Sequence, residues 1–414
     1  MPREATMSSV ALVAPAPAQV ARATIAKHSK SFALASRLLD ARTRDQTAVV
    51  YTWCRRADDA IDNAIDNAID SASDHASNGA TNSATNNATN NAPNNATNNA
   101  PNNATNNATN NATNNAPNNA TNNATNNATD NAVDSAVDNA TSGDSSAIGA
   151  SPRTGLAIQL ARLHDELDDA YSGRAVDPVL AAFGDVARER AIPLAYPAEL
   201  LAGMAMDVAD TRYATMDDLR LYCWRVAGVV GLMMTHVFGI DDDTALVPAA
   251  HLGIGMQLTN ICRDVAEDWH RGRLYVPDDL LAQHGAAGLG GELDARDDAG
   301  EPRAFPSSKV APMRRAVRDL LAIADRHYAS ADRGLRALPW RAALAVKAAS
   351  NVYRAIGSRI AAADHDVTAG RAVVSTSGKL ARVASAAMRI AFTRTAKAAR
   401  VPTRTLELRD VPQP

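Results

Sequence analysis

The sequence predicts an all-α protein, a helical bundle interrupted by a low-complexity insertion. Three observations predict it. Apolar residues return at three and four positions nearly everywhere outside residues 63–151. Ala, Leu, Arg and Glu dominate that part, β-branched runs are short, and no hairpin signal is visible. Within the insertion, alanine recurs at every fourth position from Ala60 to Ala140 among Asn, Thr, Pro and Asp.

The insertion starts inside an acidic stretch, CRRADDAIDNAIDNAIDSASD, where Ala-Ile-Asp-Asn begins to repeat. Its side chains offer almost nothing to bury, so residues 63–151 are expected to be disordered. A solenoid is disfavoured, because solenoid units run to about 20 residues or more and need an apolar face. Many units read Asn-Ala-Thr, the N-glycosylation acceptor pattern, but nothing else suggests secretion. The insertion holds seven aspartates and no Lys, Arg or Glu, so the formal charge of −3 becomes about +4 without it. Mild basicity suits an anionic ligand or a membrane surface, and no feature points to nucleic acid.

Residues 1–62 and 152–400 are read as one helical domain, and 401–414 as a flexible C-terminal tail. Three cysteines (Cys54, Cys223, Cys262) without metal-type spacing are read as reduced, buried small hydrophobes in a cytosolic protein. Pro15 and Pro17 break the apolar N-terminus, so no signal peptide is expected. No apolar run is expected to reach the roughly 20 residues needed to span a bilayer.

The helices follow in order. TGLAIQLARLHDELDDAY places Leu156, Leu160, Leu163 and Leu167 on one side. MDDLRLYCWRVAGVVGLMMTHVFG and LGIGMQLTNICRDVAEDWHRG read as buried central helices, and two amphipathic helices follow between Arg314 and Ala363. Loops are expected at Gly239 to Asp243, Gly285 to Glu301 and after Ala363. The basic, amphipathic stretch from Arg371 to Arg400 suits a membrane face or a solvated surface.

Two acidic clusters carry the candidate chemistry. At about 100° per residue, Tyr51, Arg55, Asp58 and Asp62 share one helix face, with Asp59 about 100° round from Asp58. Gln257, Asn260, Asp264, Asp268 and Arg271 form a polar stripe along an otherwise apolar helix. Carboxylates four apart repel unless a cation lies between them. Two such faces across a bundle cavity could hold Mg²⁺ bridging to phosphate. Asp66, Asp70 and Asp74 rotate about 40° per step off the first face and read as copies made by the repeat.

HSKSF (28–32), CRRADDAID (54–62), GMAMDV (203–208), YCWRVAGVVGLMM (222–234), MQLTNICRDVAEDWHRGRLYVP (256–277) and VYRAIG (352–357) resemble the squalene/phytoene synthase family. They stand in the family's order, and their flavour is nearest to bacterial phytoene synthases. The resemblance implies an isoprenoid-synthase-type bundle around a central cavity. It implies metal ligation by Asp58, Asp59, Asp62, Asp264 and Asp268. Ser29, Ser31, Arg55, Arg263 and Arg273 would hold diphosphate, Gln257 and Asn260 would line the cavity, and Tyr222 would stand near the reacting carbons. Locally, Ser29 and Ser31 also fit helix N-caps and Tyr222 a core position.

The implied reaction is Mg²⁺-dependent (Mn²⁺ would also serve) head-to-head condensation of two geranylgeranyl diphosphates to phytoene, without NADPH. An alternative is squalene or dehydrosqualene synthesis from two farnesyl diphosphates. A class I terpene cyclase is disfavoured, since its second motif mixes Asn, Ser/Thr and Glu. A different class, a non-catalytic helical scaffold displaying the repeat, is opposed by the intact acidic pairs. The expected location is the cytoplasm, in peripheral contact with the inner membrane face.

Overall fold

The computed structural model describes residues 17–89, 152–240, 243–293, 304–368, 370–393, 402 and 404–414, with backbone alone at 66, 68–89 and 152–154. Among the described residues there are thirteen α-helices and no strand. They are α1 (Pro17–His28), α2 (Lys30–Ser36), α3 (Ala41–Thr89), α4 (Pro152–Ser172), α5 (Pro178–Glu189), α6 (Ala195–Val208) and α7 (Met216–Cys223). A π-helical turn, Trp224–Gly228, joins α7 to α8 (Val229–Phe238). Then come α9 (Leu246–His270), α10 (Asp278–Gln283), α11 (Ser307–Gly334), α12 (Trp340–Ala362) and α13 (Thr376–Ala391). The chain divides into two units, Met1–Asp62 with Arg162–Pro414, and Asn63–Ala161. All that follows concerns the first unit, unless stated.

Local chemistry sets several helix starts. Asp177 caps α5 by accepting from the amides of Val179 (2.9 Å) and Leu180 (3.0 Å). Thr215 and Asp218 form a reciprocal capping box at α7. Gly239 ends α8 in the left-handed region at φ 68°, where glycine carries no Cβ penalty.

The long helix α9 lies at the centre. It packs most extensively on α11 and also touches the π turn, α8 and α12. Its apolar side, with Leu258, Ile261, Cys262, Val265 and Trp269, is buried among α11 residues such as Met313, Val317 and Leu320. On the other side the backbones come very close. A Cβ on Gly253 would stand 2.1 Å from the Ala227 carbonyl oxygen, and one on Gly231 would stand 2.3 Å from that of Ala249. Only glycine lets the π turn, α8 and α9 meet at that distance. At the other edge Thr52 Oγ1 of α3 reaches the Ala21 carbonyl of α1 (3.4 Å), Ala48, Val49 and Trp53 of α3 are buried, and Trp53 stacks on Phe183 of α5 at 4.5 Å.

Several expectations need correction. Residues Met216–Phe238 form a segment long and apolar enough to cross a membrane, with mean hydropathy 1.3 over its window. More than half of that window is buried inside the bundle, the situation of a core helix. Where disorder is expected from residue 63 onward, helix α3 runs on to Thr89. Its alanines favour helix, and no proline interrupts the chain from Ala41 to Thr89. Residues 90–151 of the insertion lie outside the described residues, as do the side chains of Asp66, Asp70 and Asp74. The segment 404–414 is anchored rather than free. Leu406 and Val411 are buried, the Leu406 amide donates to Tyr196 Oη (3.0 Å), and His251 Nε2 meets the Pro412 carbonyl (2.9 Å). Cys223 and Cys262 are buried as expected, whereas Cys54 is half-buried and lines a cavity.

Replacing Gly253 by Ala forces a methyl into the Ala227 carbonyl. We expect a loss of about 1–3 kcal/mol in urea unfolding, against no change for Gly291→Ala, whose Cβ would meet nothing within 4 Å. Equal stability of the two variants would contradict the close packing.

Candidate active site

An apolar cavity of about 320 Å³ runs between α2, α3, α8, α9, α11 and α12. Its polar end is formed by Tyr51, Gln257, Asn260 and Tyr353, and its far end by residues such as Leu39, Ile240, Leu335 and Leu338. The acidic clusters continue the same helix faces over the next one to three turns beyond the polar end. On α3 the order is Thr47, Tyr51, then Arg55, Asp58 and Asp62. On α9 it is Gly253, Gln257, Asn260, then Asp264 and Asp268. Tails among apolar walls and charged heads at the acidic end is the only polarity this arrangement offers.

The C-terminus of α9 builds part of the site. Arg271 is the cap, and Gly272 follows at φ 73°. The Gly272 amide donates to the Trp269 carbonyl and the Arg273 amide to that of Asp268 (2.7 Å). This Schellman-type ending turns the chain sharply. It brings Arg273 to within 3.6 Å of Asp62 on α3 and leaves it acting on Asp207 at the end of α6 and on Asp268. Tyr222 and Tyr275 both donate to Asp207, at 3.1 and 2.8 Å, and Tyr213 packs against both rings. The π turn that follows α7 places Tyr222 at a local irregularity of the kind often found at functional sites.

Electrostatics here is dominated by the crowding of carboxylates. Burial pushes Asp58 up to about 6; Asp62 and Asp207 add to the rise and Arg55 opposes it. Half of the Asp58 side-chain surface remains open to solvent, which screens its interactions in part. Burial raises Asp207 to about 6 against the pull of Arg273 and the two tyrosine hydroxyls. Burial and the neighbouring Asp264 raise Asp268 to about 7. Asp264 itself is held by Arg263 Nε (2.7 Å) and by Arg371 Nε (2.8 Å), and Arg371 also reaches Glu267 (3.5 Å). Arg55 pairs with Asp58 (2.9 Å) and with Asp59.

Among the described residues no three acidic, histidine or cysteine side chains converge to ligate one ion by themselves. Two buried atoms at the polar end lack any partner, Asn260 Oδ1 and Arg55 Nε. An oxygen acceptor and a cationic donor, left open beside two aspartate pairs, fit a metal–diphosphate headgroup.

The structure thus gathers Arg55, Asp58, Asp62, Gln257, Asn260, Arg263, Asp264, Asp268 and Arg273 at one end of the cavity. Asp59 is turned to Arg55. Ser29 is spent as the N-cap of α2, its Oγ accepting from the Phe32 amide (3.2 Å), and Ser31 is half-buried on the same turn. Tyr222 is buried against Asp207 rather than lining the cavity. Sequence reasoning missed Asp207, Tyr275, Tyr353 and Arg371. Asp207 carried a signal, a carboxylate inside the apolar run GMAMDV; Arg371 lies 107 residues from Asp264 and carried none.

A family model described as squalene/phytoene synthase matches residues 25–106 and 122–378. The chain belongs to the squalene/phytoene synthase family. A 15-cis-phytoene synthase from Enterobacter agglomerans is 31% identical over 369 residues, 89% of this chain and 94% of that relative. A phytoene synthase from Rhodobacter capsulatus is 37% identical over 242 residues, 58% of this chain and 67% of the relative. Among solved structures, a dehydrosqualene synthase in complex with ligand superimposes with a TM-score of 0.60 at 22% identity, covering 91% of this chain and 96% of that one. A squalene synthase from Alicyclobacillus acidocaldarius follows at a TM-score of 0.54 and 19% identity, covering 84% and 95%. These two likenesses establish the isoprenoid-synthase-type fold.

A pH experiment checks the crowding of carboxylates. Asp207 has a folded-state pKa above its ordinary value, so between about pH 4 and 6 the folded protein binds more protons than the unfolded chain, and its contribution to stability is lost as pH rises through that window. In metal-free protein, the stability of the wild type relative to Asp207→Asn is therefore expected to fall from pH 5 to pH 8. A difference that grows with pH would show that Asp207 is instead held as a well-paired carboxylate.

Proposed function

We propose that this protein condenses two geranylgeranyl diphosphates head to head (1-1′) into phytoene, through a cyclopropylcarbinyl diphosphate, the first committed step of carotenoid biosynthesis. The observation that carries the reading is the continuity of two Asp-x-x-x-Asp faces, on α3 and α9, with one apolar cavity. The 31% identity to 15-cis-phytoene synthase over nearly the whole of both chains supports the product.

Asp58 and Asp62, with Asp59 alongside, and Asp264 and Asp268 are the residues that would hold Mg²⁺ or Mn²⁺. A bound divalent ion supplies charge neutralisation of the diphosphate leaving group. Arg55, Arg263 and Arg273 would take phosphate oxygens, with Gln257 and Asn260 at the polar end of the cavity and Ser29 and Ser31 at the start of α2. The prenyl tails lie among Val, Ala, Leu and Met side chains, which exclude water from the cations formed.

The chemistry then balances simply. The first substrate loses diphosphate to give an allylic cation, and the C2–C3 double bond of the second attacks it. Loss of a proton closes the cyclopropane. A second loss of diphosphate starts the rearrangement, and loss of another proton forms the central double bond, so no reductant is consumed. Asp207, by accepting from Tyr222 and Tyr275, fixes both rings beside the acidic end. The same reading has the chain working in the cytoplasm, in peripheral contact with the inner membrane face through its basic C-terminal region.

Product mass tests this. Purified protein with Mg²⁺ should convert geranylgeranyl diphosphate to a C40 triene-centred hydrocarbon at the same rate with or without NADPH. Asp58→Asn and Asp264→Asn should each lower turnover at least about a hundredfold. Faster conversion of farnesyl diphosphate, a requirement for NADPH, or full activity of either variant would overturn the reading.

A further inference from the structure

A second cleft, of about 530 Å³, opens between α11 and α12 and reaches in as far as Thr259 of α9. Its walls follow from helical phase. On α11, Arg318, Leu321, Asp325 and Tyr328 recur at three and four and share one face. On α12, Arg354, Gly357 and Ala361 do the same, and His365 follows the helix end. Neighbouring residues divide between the two spaces. Tyr353 lines the apolar cavity and Arg354 the cleft, and on α9 Asn260 and Thr259 divide in the same way. The step of about 100° per residue turns each pair apart. The cleft is thus a separate space behind the polar end of the cavity. Glycine inside a helix costs about 1 kcal/mol against alanine, but at 357 it leaves the cleft open. A Cβ there would stand 3.3 Å from Leu321 Cδ2.

The floor is fixed by hydrogen bonds. Tyr328 is buried, and Thr259 Oγ1 already donates to the Gly255 carbonyl (2.9 Å), so the Tyr328 hydroxyl donates to Thr259 (2.8 Å). The Arg354 guanidinium lies over the Tyr328 ring, 5.3 Å from its centroid, and donates to Asp332 Oδ2 (3.0 Å). Asp332 also holds the buried Lys347 at 2.6 Å. One carboxylate therefore serves two cations, and a net positive charge remains at the floor.

The rim adds to it. Arg318 is exposed and loosely paired with Asp319 (3.8 Å), whose other oxygen meets His284 (2.7 Å). His365 reaches the rim through a constrained turn. Asp364 and His365 both stand in the left-handed region, at φ 55° and 58°, which residues with a Cβ seldom occupy. The His365 amide closes that turn on the Ile360 carbonyl (2.8 Å), and Arg314 holds it through Asp364 (2.9 Å) and Asp366 (2.5 Å). Among the described residues that line the cleft, Asp325 is the one carboxylate, against Arg318, Arg354 and His365.

A guanidinium held flat at the floor, a second at the rim and an imidazole beside them suit the oxygens of a phosphate. Leu321, Ala324 and Ala361 make the remaining wall apolar, which suits a carbon body rather than a bare ion. We propose that this cleft is a second ligand site, which takes a small organic phosphate. Its phosphate sits among Arg318, Arg354 and His365, and its organic part lies along Leu321 and Ala361. The proposal does not rest on the phytoene reading, since none of these residues belongs to the acidic end.

Calorimetric titration of phenyl phosphate into the full, metal-free chain tests it. The wild type should bind phenyl phosphate at least about tenfold more tightly than inorganic phosphate, because the ring adds buried apolar area. Phenol alone should not bind. Arg318→Ala with His365→Ala should weaken binding at least about tenfold. Asp325→Asn, which removes the opposing charge, should tighten it about threefold. Ala322→Trp, at an exposed position of the lining, should fill the cleft and abolish binding without lowering the melting temperature. Arg263→Ala, at the acidic end, should leave binding unchanged. Loss of binding in Arg263→Ala, or undiminished binding in the double variant or in Ala322→Trp, would place the ligand elsewhere and overturn the proposal. So would inorganic phosphate binding as tightly as phenyl phosphate, or a wild type that binds neither.

Discussion

Arg273 stands where three helices bring carboxylates into one half-buried space, Asp62 from α3, Asp207 from α6 and Asp268 from α9. Like charges so placed repel, and burial raises the cost because water no longer screens them. One guanidinium answers all three, and the Schellman ending of α9 with Gly272 holds it there. Arg55 plays the same part for Asp58 and Asp59, and Arg263 with Arg371 for Asp264. The acidic end is thus a set of carboxylates kept together by arginines that a metal–diphosphate headgroup could re-employ as phosphate ligands.

That constraint explains the architecture around it. A charged end is tolerable only if the helices that present it are fixed by packing elsewhere. The glycine contacts at Gly231 and Gly253 and the apolar interface of α9 with α11 supply that fixation. The cavity needs the opposite property, an unbroken apolar wall, and the same helices provide it on the turns before the charges. Segregation of the two along single helices is what would let one bundle both bind diphosphate and shield a carbocation in the proposed reaction.

Much of this was legible because helical phase is local. Asp58 and Asp62, or Asn260 and Asp264, share a face as a consequence of 3.6 residues per turn, and nothing distant can change that. The buried side Leu156, Leu160, Leu163 and Leu167 was read the same way, and all four are buried. What stayed hidden depends on chain reversal. Arg371 on Asp264, Tyr275 on Asp207 and the seating of Val411 and Pro412 near Arg220 and His251 are long-range choices made by tertiary packing. The continuation of α3 past Asp62 is obscured for another reason: an asparagine-rich composition reads as unstructured, although the alanine in each repeat unit favours helix.

In the proposed reaction the two aspartate pairs would form one site that takes metal only together with diphosphate. Calorimetric titration of Mn²⁺ into the protein with and without inorganic diphosphate tests it most directly. Tight binding should need diphosphate and should be lost in both Asp62→Asn and Asp268→Asn, although the two residues lie on different helices. Tight binding without diphosphate, or binding that survives either change undiminished, would contradict a shared site.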